Sequence, residues 1–106
     1  ETRPDYQTVS NEEIVGNVET FRLDQNYPNP FNPSTTISFN LPNAADVTLS
    51  VYNVLGQRVA TLLNNRKYTS GSHTLSFDAS NLASGIYIYR LEAGSFTSQK
   101  RMTLIK

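Results

Sequence analysis

At 106 residues and 11.9 kDa, the chain can bury about 65% of the roughly 17,000 Å² that its unfolded form exposes, enough for one core and not for two. Hydrophobic residues make up 38% and charged residues 17%, a balance that packs and that excludes a charge-swollen disordered chain. Nine Lys and Arg against nine Asp and Glu leave no net field to attract nucleic acid or an anionic membrane.

The charge is unevenly spread. Residues 1–24 hold six acids and two bases, net −4; residues 25–84 carry net +1; residues 85–106 hold four bases and one acid, net +3. The C-terminal end is the basic end, as either a solvated strand face or a binding patch would make it. The absence of Cys excludes disulfide, iron–sulfur and thiol chemistry and leaves the compartment open. No run of about 18 apolar residues is present to span a bilayer. Glu1 is not an initiator Met ahead of a signal segment, so the sequence is expected to be a piece of something longer.

Residues 1–20 are polar and acidic, without sustained periodicity, and read as a flexible linker. From Phe21 the texture changes to short alternating runs between turn-forming clusters, which predicts an all-β domain over residues 21–106. An opening strand falls near residues 21–24. Residues 35–41 set Ile37, Phe39 and Leu41 on one face and Thr36, Ser38 and Asn40 on the other, and Pro42-Asn43 ends that strand. Residues 46–53 repeat the device with Val47, Leu49 and Val51 inward; Leu55-Gly56 then turns the chain into residues 57–63, making a hairpin. A polar loop is predicted over residues 64–71, then a strand over residues 73–78 with Leu75 and Phe77 on one face.

Residues 86–93 form the next strand. Tyr87, Tyr89 and Leu91 face one way and Ile86 and Ile88 the other, so both sides are apolar at its start and the strand is placed centrally. Gly94 turns the chain into a last strand ending near Ile105. About seven antiparallel strands result, the number of an immunoglobulin-like β-sandwich. Leu82-Ala83-Ser84-Gly85-Ile86-Tyr87 supports it, because a Tyr just inside a strand after a Gly turn can cap upstream backbone, as in a tyrosine corner.

Catalytic constellations are scarce. His73 is the sole His, and Asp78 lies an odd number of residues along the same predicted strand, so the two point to opposite faces. No Gly-x-Ser-x-Gly elbow is present, and one His without Cys cannot supply a structural zinc site. Asp24, Asp46, Asp78 and Glu92 are dispersed single acids, with no pairing for glycoside hydrolysis. Residues 78–81 read as a turn whose Asp78 and Ser80 accept backbone N–H bonds, with oxygen ligands for Ca²⁺ as the alternative. The glycines occur singly, so no phosphate-cradling loop exists, and no catalytic residue or cofactor is expected.

The most unusual stretch is Asn26-Tyr27-Pro28-Asn29-Pro30-Phe31-Asn32-Pro33. Its prolines fix φ and remove N–H donors, giving a stiff segment whose Tyr27 and Phe31 are expected to plug one end of the sandwich; an exposed aromatic platform is the alternative.

That stretch, extended over residues 23–37, carries a family resemblance together with Val51-Tyr52-Asn53-Val54-Leu55-Gly56-Gln57, Leu82-Ala83-Ser84-Gly85-Ile86-Tyr87 and the ending Lys100-Arg101-Met102-Thr103-Leu104-Ile105-Lys106. Four motifs in this order resemble the type A C-terminal sorting domain of the type IX (Por) secretion system. The strands are also similar to the immunoglobulin-like domain of the flagellar hook-capping protein. The resemblance spans residues 21–106 and implies a folded address label without an active site. It implies an exported N-terminal cargo that crosses the periplasm, an outer-membrane translocon that recognises the label, a sortase that cuts in the linker of residues 1–20, and a secreted or cell-surface destination. By position, Gly56, Gly85 and Tyr87 fall on structural motif residues. Lys100, Arg101 and Lys106 are the translocon-recognition candidates, although strand parity sets Arg101 on the face opposite Lys100 and Lys106.

The rival reading is a carbohydrate-binding or cell-attachment module of an extracellular hydrolase, with Tyr52, Tyr68 or the Pro-rich aromatics as its platform. A purely structural spacer is a third.

Overall fold

The computed structural model describes residues 20–106; the linker expectation therefore lies almost wholly outside the described residues. Seven strands run in chain order: β1 Arg22–Leu23, β2 Ser34–Leu41, β3 Ala45–Tyr52, β4 Arg58–Tyr68, β5 Gly71–Asp78, β6 Gly85–Ala93 and β7 Phe96–Leu104. All pairings are antiparallel, and the strands form a three-stranded sheet, β1-β2-β5, and a four-stranded sheet, β4-β3-β6-β7. The inward rows are those set by the period of two. Ile37, Phe39 and Leu41 of β2, Val47, Leu49 and Val51 of β3, and Tyr89, Leu91, Met102 and Leu104 of β6 and β7 are all buried between the sheets. β6 is central, as its two apolar faces required.

One element departs from the sequence reading. The polar stretch 64–71 is not a loop: β4 continues through it to Tyr68 and pairs with β3 as far as Ala45↔Tyr68. β4 is an edge strand whose eleven residues lie against the eight of β3, and three register shifts absorb the three extra residues. Asn65 takes a left-handed φ of 52° in this irregular region, and its N–H donates to the Thr48 hydroxyl at 3.1 Å. Each bulge resets which side chains point inward, so the alternation that identifies a strand is lost while the backbone pairing persists. Arg66 and Lys67 stay in water along this bulged margin, a composition that discourages further strand addition.

The Pro-rich segment closes the opposite margin. Phe31 is buried and packs against Phe77 with ring centroids 6.3 Å apart, but Tyr27 is 80% exposed, so only one of the two aromatics plugs the sandwich. Backbone geometry explains the difference. Tyr27 bridges Thr36 on the outside of β2, whereas Phe31 bridges Leu104 in parallel and enters the gap between the sheets. Phe31 N–H donates to Thr103 O and Ile105 N–H to Phe31 O, both at 2.9 Å; Thr103 N–H donates to Asn29 Oδ1 at 3.0 Å, and Gln25 Nε2 to Arg101 O at 2.7 Å. These bonds occupy the outer edge of β7 from residue 101 to 105, so the C-terminal half of this margin is closed to pairing.

A buried polar knot fixes that segment. The Tyr89 hydroxyl donates to Asp24 O at 2.6 Å and accepts from Asn26 N–H at 2.8 Å; Asn26 Nδ2 donates to Thr35 Oγ1 at 3.0 Å and Pro28 O at 3.1 Å; Thr35 Oγ1 donates to Pro28 O at 2.8 Å. Burial pushes the Tyr89 hydroxyl up to about 12; the bond from Asn26 opposes the shift and the charge of Asp24 adds to it. An unfolded tyrosine loses its proton near pH 10. The stabilisation from a neutral Tyr89 is therefore whole below pH 10 and drains away between 10 and about 12, at about 1.4 kcal/mol per pH unit. Tyr89→Phe is expected to flatten that segment of the stability–pH curve while lowering stability at neutral pH by about 1–3 kcal/mol, because Asp24 O and Asn26 N–H lose their partner. Denaturant melts at neutral and alkaline pH read both effects.

Candidate functional site

The four-stranded sheet turns its outer face to solvent, and the register of β3, β6 and β7 builds a surface there. One row across the sheet reads Arg58–Tyr52–Ile88–Arg101 and the next reads Ser50–Arg90–Gln99. Paired residues share a face. The Arg90 guanidinium lies 4.8 Å from the Tyr52 ring centroid, and its Nε donates weakly to Gln99 Oε1 at 3.3 Å. The contact holds Arg90 over Tyr52 and is worth about 0.5–1 kcal/mol at an exposed position. With Ile86, Ile88, Arg101 and the turn after β3, these residues line an open groove of about 570 Å³.

The turn over residues 53–57 is built to be stiff. Asn53 Oδ1 accepts from Leu55 N–H at 2.9 Å and Gln57 N–H at 3.0 Å, Asn53 Nδ2 donates to Gln57 Oε1 at 2.8 Å, and Gly56 N–H donates to Asn53 O at 3.0 Å. The short polar side chain of Asn thus supplies the acceptors that a tight turn needs. Gly56 completes the turn at φ 83°, a conformation that L side chains rarely adopt, although a Cβ there would touch nothing. What the turn presents is apolar: Val54 is 71% and Leu55 79% exposed.

The three basic candidates do not come together. The β6–β7 register runs unbroken from Gly85↔Leu104 to Ala93↔Phe96, so no bulge reconciles their parity. Arg101 sits on the outer face opposite Ile88, while Lys100 pairs with Tyr89 on the inward-facing side, half-exposed at the rim. Lys106 lies past the end of β7; its Nζ donates to Ser80 O at 2.6 Å and its N–H to Ser84 Oγ at 3.1 Å. Arg58 and Arg90 share the outer face with Arg101, and Arg90 lines the groove beside it; the sequence reading singles out neither.

Gly85 and Tyr87 have structural work. Gly85 opens β6 at φ 156°, and the Tyr87 hydroxyl donates to Ala83 O at 2.6 Å, the upstream cap foreseen for a tyrosine corner. His73 and Asp78 face opposite sides of β5, as parity required. His73 Nε2 bonds Thr69 O at 2.7 Å and its ring packs on Tyr68 and Phe39. Asp78 Oδ1 accepts from the Ser80 hydroxyl and from Ser80 N–H at 2.9 Å, and these bonds hold its carboxyl below the usual carboxylate range. The turn reading of residues 78–81 holds for Asp78, which accepts a backbone N–H as expected, but the Ser80 hydroxyl donates to Asp78 instead of accepting one. The aromatic platform fares worse: Tyr68 packs edge-on against Phe39, Phe31 is buried and Arg90 covers one face of Tyr52, which leaves Tyr27 as the open ring among those proposed.

Gly56 and Gly85 sit at positive φ and the Tyr87 hydroxyl bonds Ala83 O, while the exposed basic and apolar groups of the four-stranded sheet are spread over one open face. The chain belongs to the family described as the secretion system C-terminal sorting domain, whose model matches residues 25–106. It is a C-terminal sorting signal for type IX secretion, a family not known for catalysis. Such a signal implies an N-terminal cargo, the type IX machinery, and delivery to the cell surface or beyond. No curated protein matches the chain.

Two substitutions test the stiffness of the turn. Gly56→Ala should cost about 1–2 kcal/mol from backbone strain alone, a fall in Tm of about 5–10 °C. Asn53→Ala should lower protection of the Leu55 and Gln57 amides in hydrogen exchange, because both lose their acceptor, while the β-sheet circular dichroism stays unchanged.

Proposed function

We propose that this domain works as a non-catalytic address label whose outer β3–β6–β7 face is read by the outer-membrane translocon after the cargo reaches the periplasm. A sortase then cuts within residues 1–20, and the cargo is released or retained at the surface. The observation that carries this reading is the solvent-facing row with Arg101 beside Ile88, on a domain matched by the sorting family. A cation on a rigid sheet can make a charge-assisted contact at little entropic cost. Among the three basic candidates Arg101 is the recognition residue; Lys106 is engaged by Ser80 and Ser84, and Lys100 lies on the other side of the strand.

The sugar-binding alternative draws on Tyr27 alone, and a single exposed ring without a convergent set of polar groups is a poor carbohydrate site.

The test is secretion. Residues 21–106 are fused behind a periplasmic reporter in a bacterium with the type IX apparatus, and surface reporter is quantified. Arg101→Glu is expected to cut delivery roughly tenfold, as loss of one charge-assisted contact would, with Tm unchanged. Lys106→Ala should leave delivery near the parent level. Equal delivery by both variants would remove Arg101 as the recognised residue.

A further inference from the structure

The turn over residues 53–57 poses a physical question. Its hydrogen bonds to Asn53 would close equally well around polar residues, yet it holds Val54 and Leu55 out into water beside an Ile86 that is itself 41% exposed. Scattered apolar side chains on a surface need no explanation, but a stiff turn that projects two of them, with Val54 lining the groove together with Ile86 and Ile88, gathers exposed apolar surface at one place. Ordering the turn in advance also removes much of the entropic cost of inserting those side chains into something else.

The groove beside the turn has a definite sign. Arg90 and Arg101 line it together with Tyr52 and Ile88, and no lining residue is acidic. Among the described residues neither guanidinium lies within ion-pair distance of a carboxylate; the ion pair present joins Arg22 to Asp24. Arg90 is already held by Tyr52 and Gln99, and its Nη donors make no hydrogen bond among the described residues. A bidentate carboxylate is the natural complement of such a group.

We propose that Val54 and Leu55, with Arg90 and Arg101, form one docking surface for a protein partner that offers an apolar pocket bordered by Asp or Glu side chains. Val54 and Leu55 fill the pocket, and the two arginines pair with its acidic rim. The pairing fixes orientation and rejects neutral or basic surfaces, while the aliphatic insertion supplies the affinity. The proposal rests on the reading of this chain as a sorting label and specifies the chemistry of what reads it.

A photo-crosslinking phenylalanine analogue is placed at Val54 of the full chain, fused behind the reporter in a type IX bacterium, with the same analogue at Thr74 on the exposed face of the other sheet as control. The expected result is a discrete protein adduct from position 54 and none from 74. The crosslinked peptide should border a segment rich in Asp and Glu. The double variant Arg90→Glu/Arg101→Glu should reduce the adduct at least roughly tenfold, Leu55→Asp should do the same, and Arg90→Lys/Arg101→Lys should retain part of it, all with parental Tm. An adduct indifferent to charge reversal, equal adducts from both positions, or no adduct overturns the proposal. So does Leu55-dependent co-sedimentation of the chain with phosphatidylethanolamine–phosphatidylglycerol vesicles, which would make the patch a lipid contact. The two readings fail separately: a reporter that never reaches the surface sinks the sorting assignment, whereas the adduct pattern decides the docking surface with or without delivery.

Discussion

The Tyr89 hydroxyl is the point on which this sandwich turns. It is buried at the centre of the four-stranded sheet, yet it holds the backbone of residues 24 and 26, which belong to the opposite layer. A buried hydroxyl without partners is costly, and so are backbone groups left unpaired at the mouth of a core. Satisfying all of them at once leaves one route for the chain, over the edge of β7. Asn26 and Thr35 lock that route, and Phe31 is carried into the core as a consequence.

Closing the β7 edge has an effect beyond stability. A sandwich of three strands against four has four margins, and three of them are blunted differently here: β7 in part by the Pro-rich segment, β4 by bulges and basic side chains, β1 by its two-residue length. With the C-terminal half of the β7 edge occupied and β6 held centrally, the outer face of β3, β6 and β7 becomes a firm, solvent-facing plane. Recognition by a surface demands such firmness, because a partner that must first order its target loses that free energy from binding. The stiffness that places Arg90 over Tyr52 and the stiffness of the Asn53 turn are of one kind: short-range bonds that hold side chains in water where an ordinary surface would let them wander.

The geometry shows where side-chain chemistry is used up. Glycines and the tyrosine corner serve the fold, His73 is satisfied by Thr69 and two aromatic rings, and Asp78 is consumed by its own turn. Arg90, Arg101, Ile86 and Ile88 are left over on the outer face of the four-stranded sheet, which suits a signal read by other proteins.

Much of this was legible in the sequence. The period of two in residues 35–41, 46–53 and 86–93 settled the strands, their inward rows and the central place of β6, because alternation is a local property that pleating imposes on each strand separately. The same rule set Arg101 apart from Lys100. The length of β4, the divergent fates of Tyr27 and Phe31, and the meeting of Arg90 with Tyr52 and Arg101 were decided only by the tertiary structure. Each depends on register and bulges between strands distant in sequence. Pairing of that kind is fixed by packing the whole sandwich at once, and no single strand's pattern carries it.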